Sequence, residues 1–191
     1  MFIRYIRPGL TLVFAMTLIV GVIYPFAIAG LSRLAFPRQA EGSLLHENGA
    51  LIGSELIGQS FTDPKYFWGR PSATTPQPYN AINSGGSNFG PLNPALIDKV
   101  NTNAKALRDA DPSNKAEIPV ELVTASTSGL DPEISPAAAL YQAARVARAR
   151  NLSIAKVRAM IEAHQRRPIL GVIGEPVVNV LALNLDLDKQ R

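Results

Sequence analysis

Residues Leu10 to Leu31 form a run of 22 residues without one charged side chain. Read as helix, the run is about 33 Å long at ~1.5 Å per residue, enough to cross a hydrocarbon core of roughly 30 Å. No later stretch could do the same, and 160 residues follow Leu31 in the 191-residue chain. The sequence therefore predicts one membrane span carrying one body, with residues 1–9 as a short arm, 10–31 as the spanning helix, 32–50 as a linker and 51–191 as an α+β domain. A body of that length falls near the ~100–150 residues of an ordinary domain.

A signal peptide is the rival reading of the same run. Ala27-Ile28-Ala29 resembles a small-residue cleavage site, but the apolar stretch exceeds the usual ~7–15 residues of a signal core. Retention of the helix follows from length. Arg4, Arg7 and the α-amino group lie within the first seven residues, and long downstream domains cross largely regardless of their own charge. The N-terminus is accordingly expected inside and the body outside. Within the span, Pro25 lacks an amide hydrogen and its ring opposes the carbonyl of Gly21, which predicts a kink. Thr17 and Gly21 form a small-xxx-small pair through which another helix can approach.

The net charge of +4 suggests nucleic acid until the charges are located. Arg4, Arg7, Arg33 and Arg38 flank the apolar run and supply the whole surplus. From Ala40 onward 15 basic residues (19 less those four) balance 15 acidic ones. Arginine at the ends of a span meets anionic headgroups, so the high pI carries no argument for nucleic acid. With no cysteine, disulfides and thiolate metal sites are excluded.

Along the body, residues 36–48 read as a mixed linker and Leu51 to Gln59 as short strands with a turn. Ser60 to Pro94 is crowded with proline, glycine, asparagine and aromatics. Phe61, Tyr66, Phe67, Trp68, Tyr79 and Phe89 argue for an ordered, loop-rich surface, because disordered segments are poor in aromatics. Asn93 is a helix N-cap with Pro94 at the first position, for a helix to about Asp109. Ile118 to Thr124 reads as a strand. Ser135 caps an alanine-rich helix to about Arg150, and a second helix runs from Ser153 to about Gln165. Gly174 to Leu187 alternates with period two and reads as a half-buried strand. The mixture, without a repeating βαβ unit, is α+β.

Constellations for chemistry are sparse. There is no GxxxxGK[ST] loop and no GxGxxG fingerprint; Ser84 to Asn88 reads as a tight, exposed turn. Ser153-Ile154-Ala155-Lys156 matches the S-x-x-K pattern of exported serine hydrolases, but the companion S-D-N and K-T-G elements are missing. Ser153 as an N-cap is the simpler reading. His46 and His164 are the only histidines and have no cysteine neighbours, so no metal site is predicted. Asp63 and Asp131 each precede proline, the pattern of a turn. No catalytic set emerges. Arg145 to Arg167 holds seven basic residues against Glu162 alone, on two helices that copy a DNA-reading helix-turn-helix. A membrane-anchored DNA-binding regulator is thus the alternative reading, against a basic face that meets an acidic neighbour or lipid.

The strings GSELIGQSF, YFWGRPSAT, YNAINSGGSNFGPLNP, ELVTASTSGLDPEISPAAALYQAARVARARNLS and GEPVVNVLALNLDLD, in this order behind an N-terminal span, resemble the C subunit of the Kdp-type potassium-transporting ATPase. The resemblance implies a bacterial inner-membrane protein, single-pass, with its body in the periplasm. Implied partners are a channel-like potassium-binding subunit, a P-type ATPase subunit and a small accessory peptide. It also implies an accessory role, in complex assembly and as a catalytic chaperone that raises the pump subunit's affinity for ATP. DKTGT and TVGYG are both missing from the sequence, consistent with a subunit that neither hydrolyses ATP nor selects the ion. ATP, Mg and K then belong to the complex, and this chain binds no cofactor alone.

With the body outside, any effect on ATP affinity is a coupling free energy, typically ~1–3 kcal/mol. Phe61 to Pro94 and Thr124 to Pro132, rich in aromatics and glycine and poor in charge, are expected to line the face docked on the potassium-binding subunit. Trp68, Arg70, Tyr79, Asn88, Ser126, Ser128 and Asp131 are the candidate interface residues. The competing reading is that the aromatics form only a local core.

Overall fold

A computed structural model describes residues 3–47, 49–168 and 170–190. The chain divides into two compact units, the first ending at Ile52 and the second beginning at Gly53.

The first unit is dominated by α1 (Ile3–Leu18), a π-helical turn (Ile19–Ile23) and α2 (Tyr24–Ala35). Among the described residues this is the one helix long and apolar enough to cross a membrane, over Arg4–Ala35, and its most apolar 18 residues have mean hydropathy 2.4 with none of them buried. Where the sequence predicts a kink, the helix carries a π-helical turn. The Tyr24 N–H donates to the Ile19 carbonyl, five residues back. The widened turn sits immediately before Pro25, which has no N–H to give and whose ring would press on the preceding turn. Residues 36–48, expected as plain linker, contain a one-turn helix α3 (Pro37–Ala40) and strand β1 (Leu44–Glu47), which pairs with β2 (Ala50–Ser54). Leu51 to Gln59 thus yields one strand and a turn, in which the Leu56 N–H donates to Ser54 Oγ.

In the second unit, three predicted caps are present. Asn93 accepts from the Ala95 N–H to open α4 (Pro94–Ala110). Ser135 accepts from Ala138 to open α5 (Pro136–Arg150), and Ser153 accepts from Lys156 to open α6 (Ile154–Ala163). The S-x-x-K pattern is therefore a helix start. Asn151 ends α5 in the left-handed region at φ 54°, and the Leu152 N–H returns to the Ala147 carbonyl, so the two helices turn within three residues. Ala138, Ala139, Ala143, Val146 and Ala147 bury one face of α5 in the core with Val157 and Ile161 of α6.

Two strand expectations fail. Ile118 to Thr124 contains a 3-10 turn, Val120–Leu122. Backbone bonds from Leu122 to Pro119 and from Val123 to Val120 close it, while Leu122 and Val123 still reach the core. In Gly174 to Leu187 only β5 (Val177–Asn179) is extended; α7 (Val180–Asp188) follows directly. Asn179 accepts the Ala182 N–H and starts that helix. Its buried side chains, Val180, Leu181, Leu183, Asn184 and Leu187, recur at three and four as well as at two, and the cap decides between the two periods.

The sheet of this unit is small and antiparallel. β5 lies between β3 (Glu133–Ile134) and β4 (Gln165–Arg166), with Ile134 and Gln165 both opposite Val178. Ile134 and Val178 are buried against the helices.

Candidate functional site

The stretch from Ser60 to Pro94 is ordered with one 3-10 turn, Ala81–Asn83, and its fixity comes from two different sources. Phe67, fully buried, donates its N–H to Asn184 Oδ1 at 2.8 Å and accepts from Asn184 Nδ2 at 2.9 Å. Trp68 does the same with Gln142, donating to Oε1 at 2.8 Å and accepting from Nε2 at 3.0 Å. Two buried side-chain amides, one on α7 and one on α5, thus satisfy consecutive backbone units as a neighbouring strand would.

Arg145, also buried, donates to Gln142 Oε1 and to the Pro64 carbonyl, and its guanidinium lies 4.5 Å from the Trp68 ring centroid. Burial brings its pKa down to about 10, while the charges of Asp111 and Asp63 oppose the fall. Arg150 donates to the Lys65 and Leu187 carbonyls and to Asp188, which also accepts from the Tyr66 hydroxyl.

Beyond Trp68 the support comes from the second loop. Arg70 pairs with Asp131 at 3.3 Å and donates to the Ala125 carbonyl. The Ser126 N–H donates to the Pro71 carbonyl, and Ser72 Oγ donates to the Gly129 carbonyl at 2.7 Å. Ser84 Oγ and the Gly85 N–H both reach the Ser128 carbonyl. Gly129 holds φ +68°, and a Cβ there would lie 2.5 Å from Thr74 Cγ2 and 2.7 Å from the Gly85 carbonyl, so the contact needs glycine. Ser84 to Asn88 is correspondingly no tight turn. It runs along Thr127 and Ser128, and Gly86 has no room for a side chain because the Thr127 carbonyl would be 2.8 Å away.

The seven candidate residues divide accordingly. Trp68 is half-buried and packs on the core. Tyr79 is half-buried and its hydroxyl donates to the Arg70 carbonyl at 2.5 Å; burial, with the Asp131 charge adding to it, pushes its pKa up to about 12. Ser126 is buried and accepts from the Gly129 N–H. Asp131, besides holding Arg70, accepts from the Glu133 N–H, and Asp63 likewise accepts from Lys65, so both Asp-Pro pairs are turns. Ser128 and Asn88 are exposed, and Asn88 stands at φ 51°. Arg70, Tyr79, Ser126, Ser128 and Asp131 therefore come together as one hydrogen-bonded join between the loops. The aromatics do form a local core, and also the wall of a cleft of about 400 Å³ lined by Phe61, Trp68, Arg70, Tyr79 and Leu107.

The residues presented outward are others: Ile82 is 98 % exposed and Leu92 92 % exposed, on the same pinned loop. Sequence reasoning missed both, and it also missed Gln142 and Asn184. The loop composition pointed to the stretch; nothing local marks which of its side chains face out.

Four of the seven basic residues from Arg145 to Arg167 are buried or paired within the chain. Arg145 is buried, Arg148 pairs with Asp111, Arg150 with Asp188 and Arg166 with Glu133. Burial raises the Asp111 carboxyl, but hydrogen bonds from Ser113 and Arg148 and the Arg148 charge outweigh it, so the group titrates below its ordinary range. His46 lies on β1 and His164 ends α6, where its Nδ1 is 2.9 Å from the Met160 carbonyl. Among the described residues no three His, Cys, Asp or Glu side chains are grouped to hold a metal ion.

The described chain is thus an apolar N-terminal helix followed by an α+β unit whose most elaborately bonded polar residues hold loops to helices and to one another. The family model for the K+-transporting ATPase c chain, KdpC, matches residues 6–189. The potassium-transporting ATPase KdpC subunit of Variovorax paradoxus (strain S110) is 60% identical over 183 residues, covering 96% of this chain and 95% of its own. That of Polaromonas naphthalenivorans (strain CJ2) is 61% identical over 183 residues, covering 96% and 93%. That of Methylococcus capsulatus is 57% identical over 189 residues, covering 99% and 100%. The chain belongs to the KdpC family, the C subunits of the potassium-transporting ATPase.

Proposed function

We propose that the chain is a non-catalytic accessory subunit of an ATP-driven potassium uptake complex in the bacterial inner membrane. Residues 1–9 are its cytoplasmic arm, Leu10 to Leu31 its span, residues 32–50 its linker and residues 51–191 its periplasmic body. The body docks, through the joined loops Phe61 to Pro94 and Thr124 to Pro132, on the channel-like potassium-binding subunit. It serves assembly of that subunit with the P-type ATPase subunit and the small accessory peptide, and raises the ATP affinity of the hydrolysing subunit. ATP, Mg and K bind elsewhere in the complex.

One observation carries the docking assignment. Ile82 and Leu92 are almost wholly exposed on a loop whose neighbours Ser84 and Gly85 are bonded to Ser128. Large apolar side chains held outward by a fixed backbone lose little entropy on binding and gain contact area.

Affinity purification of the full chain from membranes tests the reading. Co-purification of channel-like and pump subunits is expected, and Trp68→Ala or Tyr79→Ala loosens the complex. Unchanged co-purification and potassium uptake in both variants rejects this face. An unchanged ATP requirement of the pump when the chain is removed from an otherwise assembled complex rejects the ATP-affinity role.

A further inference from the structure

The connection between β4 and β5 is a hairpin, because the two strands pair antiparallel. Its tip is apolar: Leu170 is 88 %, Val172 80 % and Ile173 60 % exposed. Scattered exposed leucines are normal on a soluble surface, whereas adjoining ones mark a contact. Leu170 stands at φ 54° and Gly171 at φ 76°, and the Gly171 N–H closes on the Pro168 carbonyl at 3.1 Å, so the tip is a tight turn. Arg166 and Arg167 precede the tip, and Glu175 is the one acidic residue between Arg166 and Val177.

We propose that this tip is a second membrane contact, with Leu170, Val172 and Ile173 entering the boundary between headgroups and acyl chains and Arg167 meeting anionic headgroups. The inference rests on the reading of residues 10–31 as a retained span. The segment between that helix and the second unit, residues 36–52, reaches at most about 60 Å even fully extended. The bilayer is thus at high effective concentration for the whole body, and a weak contact becomes populated when it is intramolecular in this way. Three side chains are far less than the ~1,000 Å² of a specific protein interface, but a tethered lipid contact has no such requirement. Aliphatic side chains beside arginine are the composition of interfacial insertion.

The sequence contains no cysteine, so single substitutions provide unique labelling sites without altering the contact residues left in place. The full chain is reconstituted into vesicles of phosphatidylethanolamine and phosphatidylglycerol, part of whose lipids carry a nitroxide on the upper acyl chain. An environment-sensitive fluorophore is placed at Val172→Cys, at Ile82→Cys and, inside the span, at Val20→Cys. Quenching several-fold stronger at position 172 than at position 82, and rising with the phosphatidylglycerol fraction, is expected. Equal, low quenching at 172 and 82 with strong quenching at 20 overturns the proposal and leaves the anchor intact. Weak quenching at all three positions overturns the anchor reading together with the proposal. Protection of position 172 that requires the other subunits, with no lipid quenching in the isolated chain, also overturns it in favour of a protein neighbour.

Discussion

Tyr66 to Arg70 and Ala81 to Leu92 belong to one aperiodic stretch, yet opposite forces hold them. The first is gripped from beneath: Phe67 is fully buried, and side chains of α5 and α7 bond its backbone and that of Trp68. The second is joined to another loop, through Ser84, Gly85 and Ser128, and leaves Ile82 and Leu92 in solvent. The difference separates structure from surface. A segment gripped by buried side chains is part of the fold, while a segment tied to its neighbours through Asn83, Ser84 and Gly85 keeps side chains such as Ile82 and Leu92 available. The aromatics that make this stretch conspicuous lie mostly on the structural side; the docking residues are the plain aliphatic ones.

The contrast can be broken by substitution, beginning with the deepest contact. Asn184→Leu leaves the buried Phe67 N–H and carbonyl without partners. At about 1–3 kcal/mol for each unsatisfied group, the expected loss is about 2–6 kcal/mol. Trp68, the only tryptophan, reports it directly in a urea titration followed by fluorescence; an unshifted midpoint shows that the amide grip is dispensable. Gln142→Leu releases the half-buried Trp68 backbone and one Arg145 bond, with a smaller expected loss of about 1–3 kcal/mol. Should it exceed the Asn184 effect, Arg145 and not the backbone is the main beneficiary.

Gly129→Ala attacks the other kind of support. Strain at positive φ and the clash with Thr74 predict a loss of about 1–3 kcal/mol by overpacking. Protease nicking should appear within Ala81 to Leu92 before it appears at Tyr66. Nicking in the reverse order would merge the two regions into one.

Acid titration sharpens the comparison further. The native Asp111 carboxyl titrates below its ordinary 3.8, so the native state binds fewer protons there than the unfolded chain. Its contribution is complete above that ordinary value and is lost as pH falls through the lowered native one. Asp111→Asn should flatten the acid limb of stability against pH. An unchanged limb would place the acid sensitivity outside the Arg148–Asp111 pair.

The smallest effect on stability is expected at the surface. Ile82→Ser and Leu92→Ser should change stability by less than about 0.5 kcal/mol while reducing recovery of partner subunits in the affinity purification. Wild-type recovery with both substitutions combined would remove Ala81 to Leu92 from the docking face.

Legibility followed the range of the interaction. Asn93, Ser135 and Ser153 are readable as caps because each bonds an N–H two or three residues away. Asn179 caps a helix by the same chemistry but was masked by the alternating leucines after it. The join between the loops was legible only as composition. Ser72 and Gly129 are 57 residues apart, and Gln142 and Trp68 are 74 apart, so no local pattern pairs them. The basic run misled for the same reason: the acids that take up Arg148, Arg150 and Arg166 lie 37, 38 and 33 residues away.

The sequence alone determined the apolar helix, the helix starts at Asn93, Ser135 and Ser153, and the presence of an ordered but aperiodic surface, because hydropathy, backbone capping and aromatic content act within a few residues. Tertiary structure decided that Trp68 is a wall. It also decided that Ile82, Leu92 and Leu170 face outward. Exposure and hydrogen-bond partnership belong to pairs of distant residues, and only the folded chain brings those pairs together.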